Sequence, residues 1–139
     1  MKTFLFILSV GLITAFTFVY ADEIRNETVK FAPGTSSTSI KDTITGYQSV
    51  NYKVGAKAGQ QMTVEMTTDN TSNYFNIFEP GKGPGDGAMY IGSTESNNFE
   101  GKLPTDGEYT VQVYLYRNAA RRNEKANYTL NIEVTDVEG

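Results

Sequence analysis

The sequence of 139 residues contains no cysteine, no histidine and no tryptophan. Because imidazole and thiolate groups are the usual ligands of zinc, copper and iron, their absence excludes the common sites for these metals. It also excludes nucleophilic catalysis of the Cys-His and Ser-His-Asp types, since both need a histidine base. Without cysteine the chain forms no disulfide, so core packing and sheet hydrogen bonds must stabilise it. We therefore expect no metal and no cofactor.

Long apolar runs are also scarce, and the clearest one lies at the N-terminus. Met1-Lys2 gives a positive start, Phe4–Tyr20 is mostly apolar, and Ala21 is a small residue at its end. These features predict a signal peptide over residues 1–21, which leaves residues 22–139 as a single exported domain. A single membrane anchor is the alternative, because the run is near the minimum length of a membrane-spanning helix. The small exit residue and the lack of a basic flank favour cleavage.

Positive charge is the minority sign, with 12 lysines and arginines against 16 acidic residues and a net charge of −4. Loss of Lys2 with the signal peptide would make this one unit more negative. Such a domain is a poor ligand for nucleic acid or an anionic membrane, and it is suited to a basic protein partner. Solubility alone would also account for the charge, so composition leaves both interpretations open.

Alternation of apolar and polar residues dominates the rest of the chain, which is the pattern of half-buried strands. Four segments alternate strictly, around Val50–Val54, Met62–Met66, Tyr109–Leu115 and Tyr128–Val134. Weaker strand candidates are Glu27–Phe31, Thr38–Thr45, Tyr74–Phe78, Met89–Ile91 and Asn98–Leu103. Glycine-containing turns separate several of these segments. The pattern predicts an all-β domain, an antiparallel β-sandwich of about eight strands with one short helical turn before the last strand.

A glycine-rich segment, Pro80–Gly87, interrupts the strands. It lacks the Lys-Ser/Thr ending of a phosphate-binding loop. We interpret it as a flexible surface loop. The functional alternative is a deformable contact with a partner, in which Lys82 is the single basic group.

Three of the four arginines lie between residues 117 and 122, directly after the alternating segment that starts at Tyr109. Arginine presents a planar fork of donors that fits a carboxylate and keeps its charge at neutral pH. The segment is therefore the main candidate for a contact with acidic groups of a partner. The alternative is that Arg117 only pairs with Glu124 or a neighbouring carboxylate in solvent, a contact that stabilises little.

A helical turn over Ala119–Asn123, capped by Asn118, would place Arg117 and Arg121 one turn apart. Arg122 is interpreted as a solvated residue. Tyr109 and Tyr128 alternate in phase with aliphatic residues and are predicted to lie in the core, whereas Tyr114 and Tyr116 point to the opposite side. Their exposure would suit a contact between two copies, so we expect a monomer or a weak homodimer.

Several segments, in matching order, resemble the periplasmic inhibitors of goose-type lysozyme. They are Ile44–Tyr47, Lys57–Gln60, Leu103-Pro104 with Asp106–Tyr109, and Arg117–Arg121 followed by Tyr128. The arginine segment is the most specific of them, although Ala119 stands where the family has an acidic residue. The resemblance covers about residues 29 to 134 and implies a periplasmic protein that is not an enzyme.

The resemblance also implies a mechanism. Lysozymes cleave peptidoglycan with carboxyl groups set in a groove, and an inhibitor would fill that groove. Arg117 or Arg121 would bind a carboxylate, Asn118 would add amide hydrogen bonds, and Tyr47 would supply an aromatic contact. Lys82 is a further candidate contact.

Two other classes of function remain open at this point. A non-catalytic carbohydrate- or cell-wall-binding β-sandwich module is compatible with the nine tyrosines and the polar loops, although no tryptophan is present for a sugar platform. A glycosidase with two carboxylates is the second alternative. The acidic residues form no recognisable catalytic pair, which argues against an enzyme.

Overall fold

The computed structural model describes residues 23–137, so the predicted signal peptide over residues 1–21 lies outside the described part of the chain. The order of elements is β1 Ile24–Thr28, β2 Ser37–Thr45, β3 Ser49–Ala56, β4 Gln61–Thr68, β5 Asn73–Phe78, β6 Tyr90–Ile91, β7 Asn98–Lys102, β8 Gly107–Leu115, α1 Arg117–Arg121 and β9 Lys125–Thr135. Across this stretch no helix has the length and apolar character needed to cross a membrane.

The strands form two sheets, one with the order β1-β3-β8-β5-β6 and one with the order β2-β9-β4-β7. All neighbouring strands are antiparallel except β1 and β3, which run parallel. The two sheets enclose one core between their inner faces. The predicted all-β sandwich with a short helix before the last strand is confirmed, and the described residues contain nine strands where we expected about eight.

The burial of side chains in the core confirms that the four strictly alternating segments are half-buried strands. Their apolar positions are buried on the inner faces, and the largest fully buried side chains include Tyr52, Met62, Phe75, Ile77, Tyr109, Leu130 and Ile132. Burial of one such side chain stabilises the fold by about 1.5–3 kcal/mol. Because the side-chain period of a strand is two, this burial also specifies the register of each pair of strands.

The first strand differs from its prediction. We expected a strand over Glu27–Phe31, whereas β1 spans Ile24–Thr28 and pairs with Ser49–Lys53. Val29 and Phe31 still pack against the core, and this explains the misplaced alternation. A turn closed by the hydrogen bond from the Thr35 amide to the Ala32 carbonyl ends the extended segment.

Three buried tyrosines have hydrogen-bond partners for their hydroxyl groups. The hydroxyl oxygens of Tyr52 in β3 and Tyr128 in β9 lie 2.7 Å apart and join the two sheets. The Tyr109 hydroxyl donates to the Thr105 carbonyl at 2.7 Å and accepts from the Thr105 amide at 3.1 Å, which holds the turn before β8. The predicted core positions of Tyr109 and Tyr128 are confirmed.

An ion pair closes one open edge of the sandwich. Arg25 of β1 donates to Asp42 of β2 at 2.8 Å and to Glu27 at 2.6 Å, so it links the edge strands of the two sheets. The hydrogen bond to Asp42 is the main reason that the pKa of Arg25 is raised.

Candidate functional site

The helix α1 begins two residues earlier than predicted. Tyr116 is its N-cap and makes no side-chain cap bond, and Arg117 is its first residue. The predictions that Asn118 caps the helix and that the helical turn runs over Ala119–Asn123 were therefore wrong. The physical reason is burial, because Ala119 and Ala120 pack into the core and draw the chain into a helix directly after β8.

The C-terminal end of α1 is closed by an asparagine in the left-handed conformation. Asn123 has φ 59°, a conformation that asparagine tolerates better than most residues. Its amide donates to the Ala120 carbonyl at 2.9 Å, and the Glu124 amide donates to the Ala119 carbonyl at 3.1 Å. These bonds satisfy carbonyl groups of the short helix and turn the chain into β9.

The turn between β2 and β3 packs against this helix end. Gly46 has φ 63°, and a Cβ atom there would lie 2.6 Å from the Asn123 side-chain oxygen. The Gly46 amide donates to the Glu124 carbonyl at 2.8 Å. Glycine is thus needed for both conformation and space. The turn leaves Tyr47 beside α1 with 43% of its surface exposed.

Two open concavities connect Tyr47 with the helix. One has a volume of about 480 Å³ and is lined by Tyr47, Tyr114, Leu115, Tyr116, Arg117, Asn118 and Ala120. The other has a volume of about 450 Å³ and is lined by Tyr47, Ala120, Arg121 and Asn123. The structure therefore brings four predicted site residues together at one end of the sandwich, and we call Tyr47, Arg117, Asn118 and Arg121 the arginine end.

The three arginines of the segment have different surroundings. Arg122 pairs with Glu124 at 2.7 Å, so the expected alternative of an Arg117–Glu124 pair is wrong. Arg121 donates to the Asn118 side-chain oxygen at 2.8 Å. Among residues 23–137 no carboxylate forms an ion pair with Arg117 or Arg121. Two exposed guanidinium groups are consequently available to acidic groups of a partner.

The loop between β4 and β5 forms hydrogen bonds with the residues on both sides of α1. Asn70 donates to the Glu124 carboxylate at 3.0 Å and to the Lys125 carbonyl at 3.1 Å. The first of these bonds, followed by the bond from Arg122, lowers the pKa of Glu124. At the other end of the helix, the Tyr116 amide donates to the Ser72 carbonyl at 2.8 Å. Sequence reasoning missed Asn70, since its partners are more than fifty positions away.

Three tyrosines extend the arginine end onto the outer face of the five-stranded sheet. Tyr74 packs edge-on against Tyr116 with ring centroids 6.2 Å apart, and it lies 6.4 Å from the ring of Tyr114. Tyr116 is 50% exposed, whereas burial raises the pKa of the half-buried Tyr114. Aromatic pairs of this kind contribute about 0.5–1.5 kcal/mol each beyond the area that they bury.

Lys82 lies away from the arginine end. Its loop follows β5 at the Gly107 end of β8, where a Cβ atom on Gly107 would lie 2.8 Å from Pro80. The eight steps from Gly107 to Leu115 span about 27 Å of strand. One small contact surface therefore does not include both Lys82 and the arginines.

Another concavity, of about 690 Å³, lies on the four-stranded sheet. It holds two carboxylates, but Asp42 is bound to Arg25 and Asp69 accepts from the Asn127 side chain at 2.7 Å. The bonds from Asn127 lower the pKa of Asp69. Neither carboxylate is placed as a free catalytic group. In the described part of the chain, no cluster of three or more His, Cys, Asp or Glu residues is arranged to hold a metal.

Comparison with known proteins identifies relatives along almost the whole chain. An Escherichia coli (strain K12) protein described as an inhibitor of g-type lysozyme is 30% identical over 129 residues, which is 92% of each chain. The crystal structure of Aeromonas hydrophila PliG, a periplasmic inhibitor of g-type lysozyme, has 37% identity and a TM-score of 0.78 over 83% of this chain and 100% of that one.

A second solved relative, Salmonella Typhimurium PliG, is also described as a periplasmic inhibitor of g-type lysozyme. It has 28% identity and a TM-score of 0.61 over 80% of this chain and 98% of the relative. No protein-family model matches the sequence.

Proposed function

We propose, since this chain belongs to the family of g-type lysozyme inhibitors, that it inhibits goose-type lysozyme by placing its arginine end in the peptidoglycan-cleaving groove. The chain is a periplasmic lysozyme inhibitor and not an enzyme, in line with its relatives. The observation that carries the function is the similarity over 92% of both chains. The site rests on the convergence of Tyr47, Arg117, Asn118 and Arg121 at one end of the sandwich.

Charge complementarity supports the arginine end as the inhibitory surface. A lysozyme groove holds the carboxyl groups that cleave the glycan. Arg117 and Arg121 are exposed and have no carboxylate partner among the described residues. A guanidinium group that enters the groove would form charge-assisted hydrogen bonds with a carboxylate there. The general acid would then be unable to protonate the glycosidic oxygen.

The attachment of α1 favours tight binding. Ala119 and Ala120 bury one side of the helix, and Asn70 ties its C-terminal flank to the neighbouring loop. A rigid segment loses less conformational entropy when it binds. The bond between Arg121 and the Asn118 side chain also orients the guanidinium group before contact, and Asn118 keeps its amide donors for the partner.

Tyr47 and Lys82 have separate places in this proposal. Tyr47 flanks the arginines and would pack its exposed ring against the wall of the groove. Lys82 lies at the other end of the sandwich, so a contact through it would require a second area of the lysozyme or another molecule. We propose a monomer or a weak homodimer as the inhibitory form.

The function is tested by the lysis of bacterial cell walls with goose-type, chicken-type and invertebrate-type lysozymes, each titrated with the exported protein. We expect stoichiometric inhibition of the goose type and little effect on the other two. Undiminished lysis by all three enzymes at excess protein would contradict the proposed function. Equal inhibition of all three would contradict the goose-type preference alone.

The site is tested by Arg117→Ala and Arg121→Ala, with Arg122→Ala as the matched control. Hydrogen bonds to charged groups contribute about 1.5–3 kcal/mol, so removal of the contacting arginine should weaken inhibition of goose-type lysozyme by about 10- to 100-fold. Arg122 already pairs with Glu124, and its loss should change inhibition by less than about threefold, as for an exposed ion pair. Full inhibition by both test variants would place the site elsewhere.

A further inference from the structure

The two most exposed aromatic side chains among residues 23–137 lie in the same concavity. Tyr116 is 50% exposed and Tyr47 is 43% exposed, whereas the other aromatic residues of this range are buried or only partly exposed. Both tyrosines line the concavity of about 480 Å³ that Arg117 also lines. Single exposed apolar residues are ordinary on a protein surface, but tyrosine grouped with arginine is typical of the energetically important centre of a protein interface.

The backbone of Tyr116 is fixed on both sides. Its amide donates to the Ser72 carbonyl at 2.8 Å, and its carbonyl accepts from the Ala120 amide at 2.9 Å. Ala120 is itself buried, at 4% exposure, so the second of these bonds ties Tyr116 to a residue of the core. The direction in which the Tyr116 side chain leaves the backbone is therefore determined by the fold.

The ring of Tyr116 is also supported by a neighbouring ring. Tyr74 of β5 packs against it with centroids 6.2 Å apart and an interplanar angle of 80°. Tyr74 in turn is the cross-strand partner of Tyr114 in β8, at a centroid distance of 6.4 Å. A side chain that is already held in place loses less conformational entropy when a partner covers it. Tyr116 thus combines exposure with an ordered position.

We infer that Tyr116 is a second aromatic contact of the inhibitory surface, and this inference rests on the proposed function. Tyr116 and Tyr47 would both pack against the walls of the lysozyme groove and exclude water from the bond between Arg117 and a groove carboxylate. An ion pair shielded from solvent is screened less by salt than an exposed one. Tyr74, which supports the Tyr116 ring, is a positioning residue in this account.

A second copy of the chain fits this surface less well than lysozyme does. A two-fold contact joins the same patch of both copies, so it would bring the arginines of one copy to the arginines of the other. Neither Arg117 nor Arg121 has a carboxylate partner among the described residues, and like charges brought together oppose association. A groove that holds catalytic carboxyl groups complements the same arginines.

The experiment measures inhibition of goose-type lysozyme by Tyr116→Ala. We expect inhibition to weaken by about tenfold or more, the effect of losing an aromatic residue at an interface centre. Tyr116→Phe should retain most of the inhibition because the ring remains. Val137→Ala is the control, since Val137 is 46% exposed but follows the far end of β9, and it should inhibit as well as the unmodified protein does.

Salt dependence and a double variant test the assigned roles. Inhibition by Tyr116→Ala should decline more steeply with rising salt than inhibition by the unmodified protein, because water would reach the arginine–carboxylate bond. Tyr74→Leu should weaken inhibition by about threefold, as expected for one lost aromatic pair, and Tyr74→Phe should restore it. In the Tyr116→Ala background, Tyr74→Leu should cause no further loss, since a positioning residue acts only through the ring that it supports.

The outcomes separate this inference from the proposed function. Full inhibition by Tyr116→Ala at every salt concentration, while Arg117→Ala or Arg121→Ala weakens inhibition, would overturn the role of Tyr116 and leave the function intact. Failure of the unmodified protein to inhibit would contradict the function itself. Sedimentation tests the other occupant: self-association that Tyr116→Ala abolishes, with inhibition unchanged, would assign the ring to a contact between copies.

Discussion

Among single residues, the paired hydroxyls of Tyr52 and Tyr128 are the most unusual feature of the core. Both side chains are buried, at 0% and 4% exposure, and each hydroxyl has the other as its partner at 2.7 Å. Burial raises the pKa of Tyr52 to about 12. Burial, followed by the bond to Tyr52, also raises the pKa of Tyr128. The core therefore depends on two phenols that stay protonated.

This pair predicts a loss of stability in alkaline solution. Unfolded tyrosine ionises near pH 10, whereas folded Tyr52 keeps its proton to about pH 12. Between these values the unfolded state binds fewer protons than the folded state, so the free energy of unfolding decreases as the pH rises. Denaturant unfolding at pH 9, 10 and 11 should reveal the decrease, and the double variant Tyr52→Phe/Tyr128→Phe should flatten it. An equal slope in both proteins would contradict the assignment.

Among the structural elements, the β2–β3 turn and α1 behave as one unit. Gly46 and Asn123 both have positive φ. A Cβ atom at residue 46 would lie only 2.6 Å from the side-chain oxygen of Asn123. The same turn carries Tyr47 into the concavities shared with Arg117 and Arg121. The conformation of one glycine thus determines where a predicted contact residue lies.

Gly46→Ala should therefore impair both stability and inhibition. Alanine at position 46 would keep a positive φ that is strained for a residue with a side chain, and its methyl group would collide with the Asn123 side chain. We therefore expect a loss of about 1–3 kcal/mol in unfolding free energy. Inhibition should also weaken, because the collision would displace Tyr47. Gly34→Ala is the matched control, because Gly34 also has positive φ, at 80°, but has nothing within 4 Å of the added atom. It should lose stability and keep full inhibition. Equal inhibition by both variants would remove Tyr47 from the site.

Strands β8, β9 and β1 and helix α1 show how much of the structure the sequence alone predicts. The strict alternation around Tyr109–Leu115 and Tyr128–Val134 predicted β8 and β9 because a strand with one buried face has a side-chain period of two. Strand β1 pairs in parallel with β3, so no tight turn joins the two strands and no turn residues mark the end of β1. The predicted boundaries of β1 were therefore wrong. The start of α1 depends on the burial of Ala119, and the brace from Asn70 to Glu124 joins residues 54 positions apart. Such long-range contacts have no signature in a local pattern.

For the whole molecule, the sandwich separates surfaces with different chemistry. The arginine end is cationic within a chain of net charge −4, and the outer face of the four-stranded sheet carries both signs. The glycine-rich loop lies at the opposite end from the arginines. This separation is why a substitution on one surface should leave the others intact, which makes the single-residue tests above interpretable.

The most direct test of the central claim is a double-mutant cycle with goose-type lysozyme, measured by calorimetry. One component is the lysozyme with its general-acid carboxyl group changed to the amide, and the other is Arg117→Ala or Arg121→Ala. If an arginine binds that carboxylate, at least one cycle should give a coupling energy of about 1.5 kcal/mol or more. Additive effects in both cycles, with the unmodified inhibitor binding the amide enzyme as tightly as the original, would contradict the proposed contact.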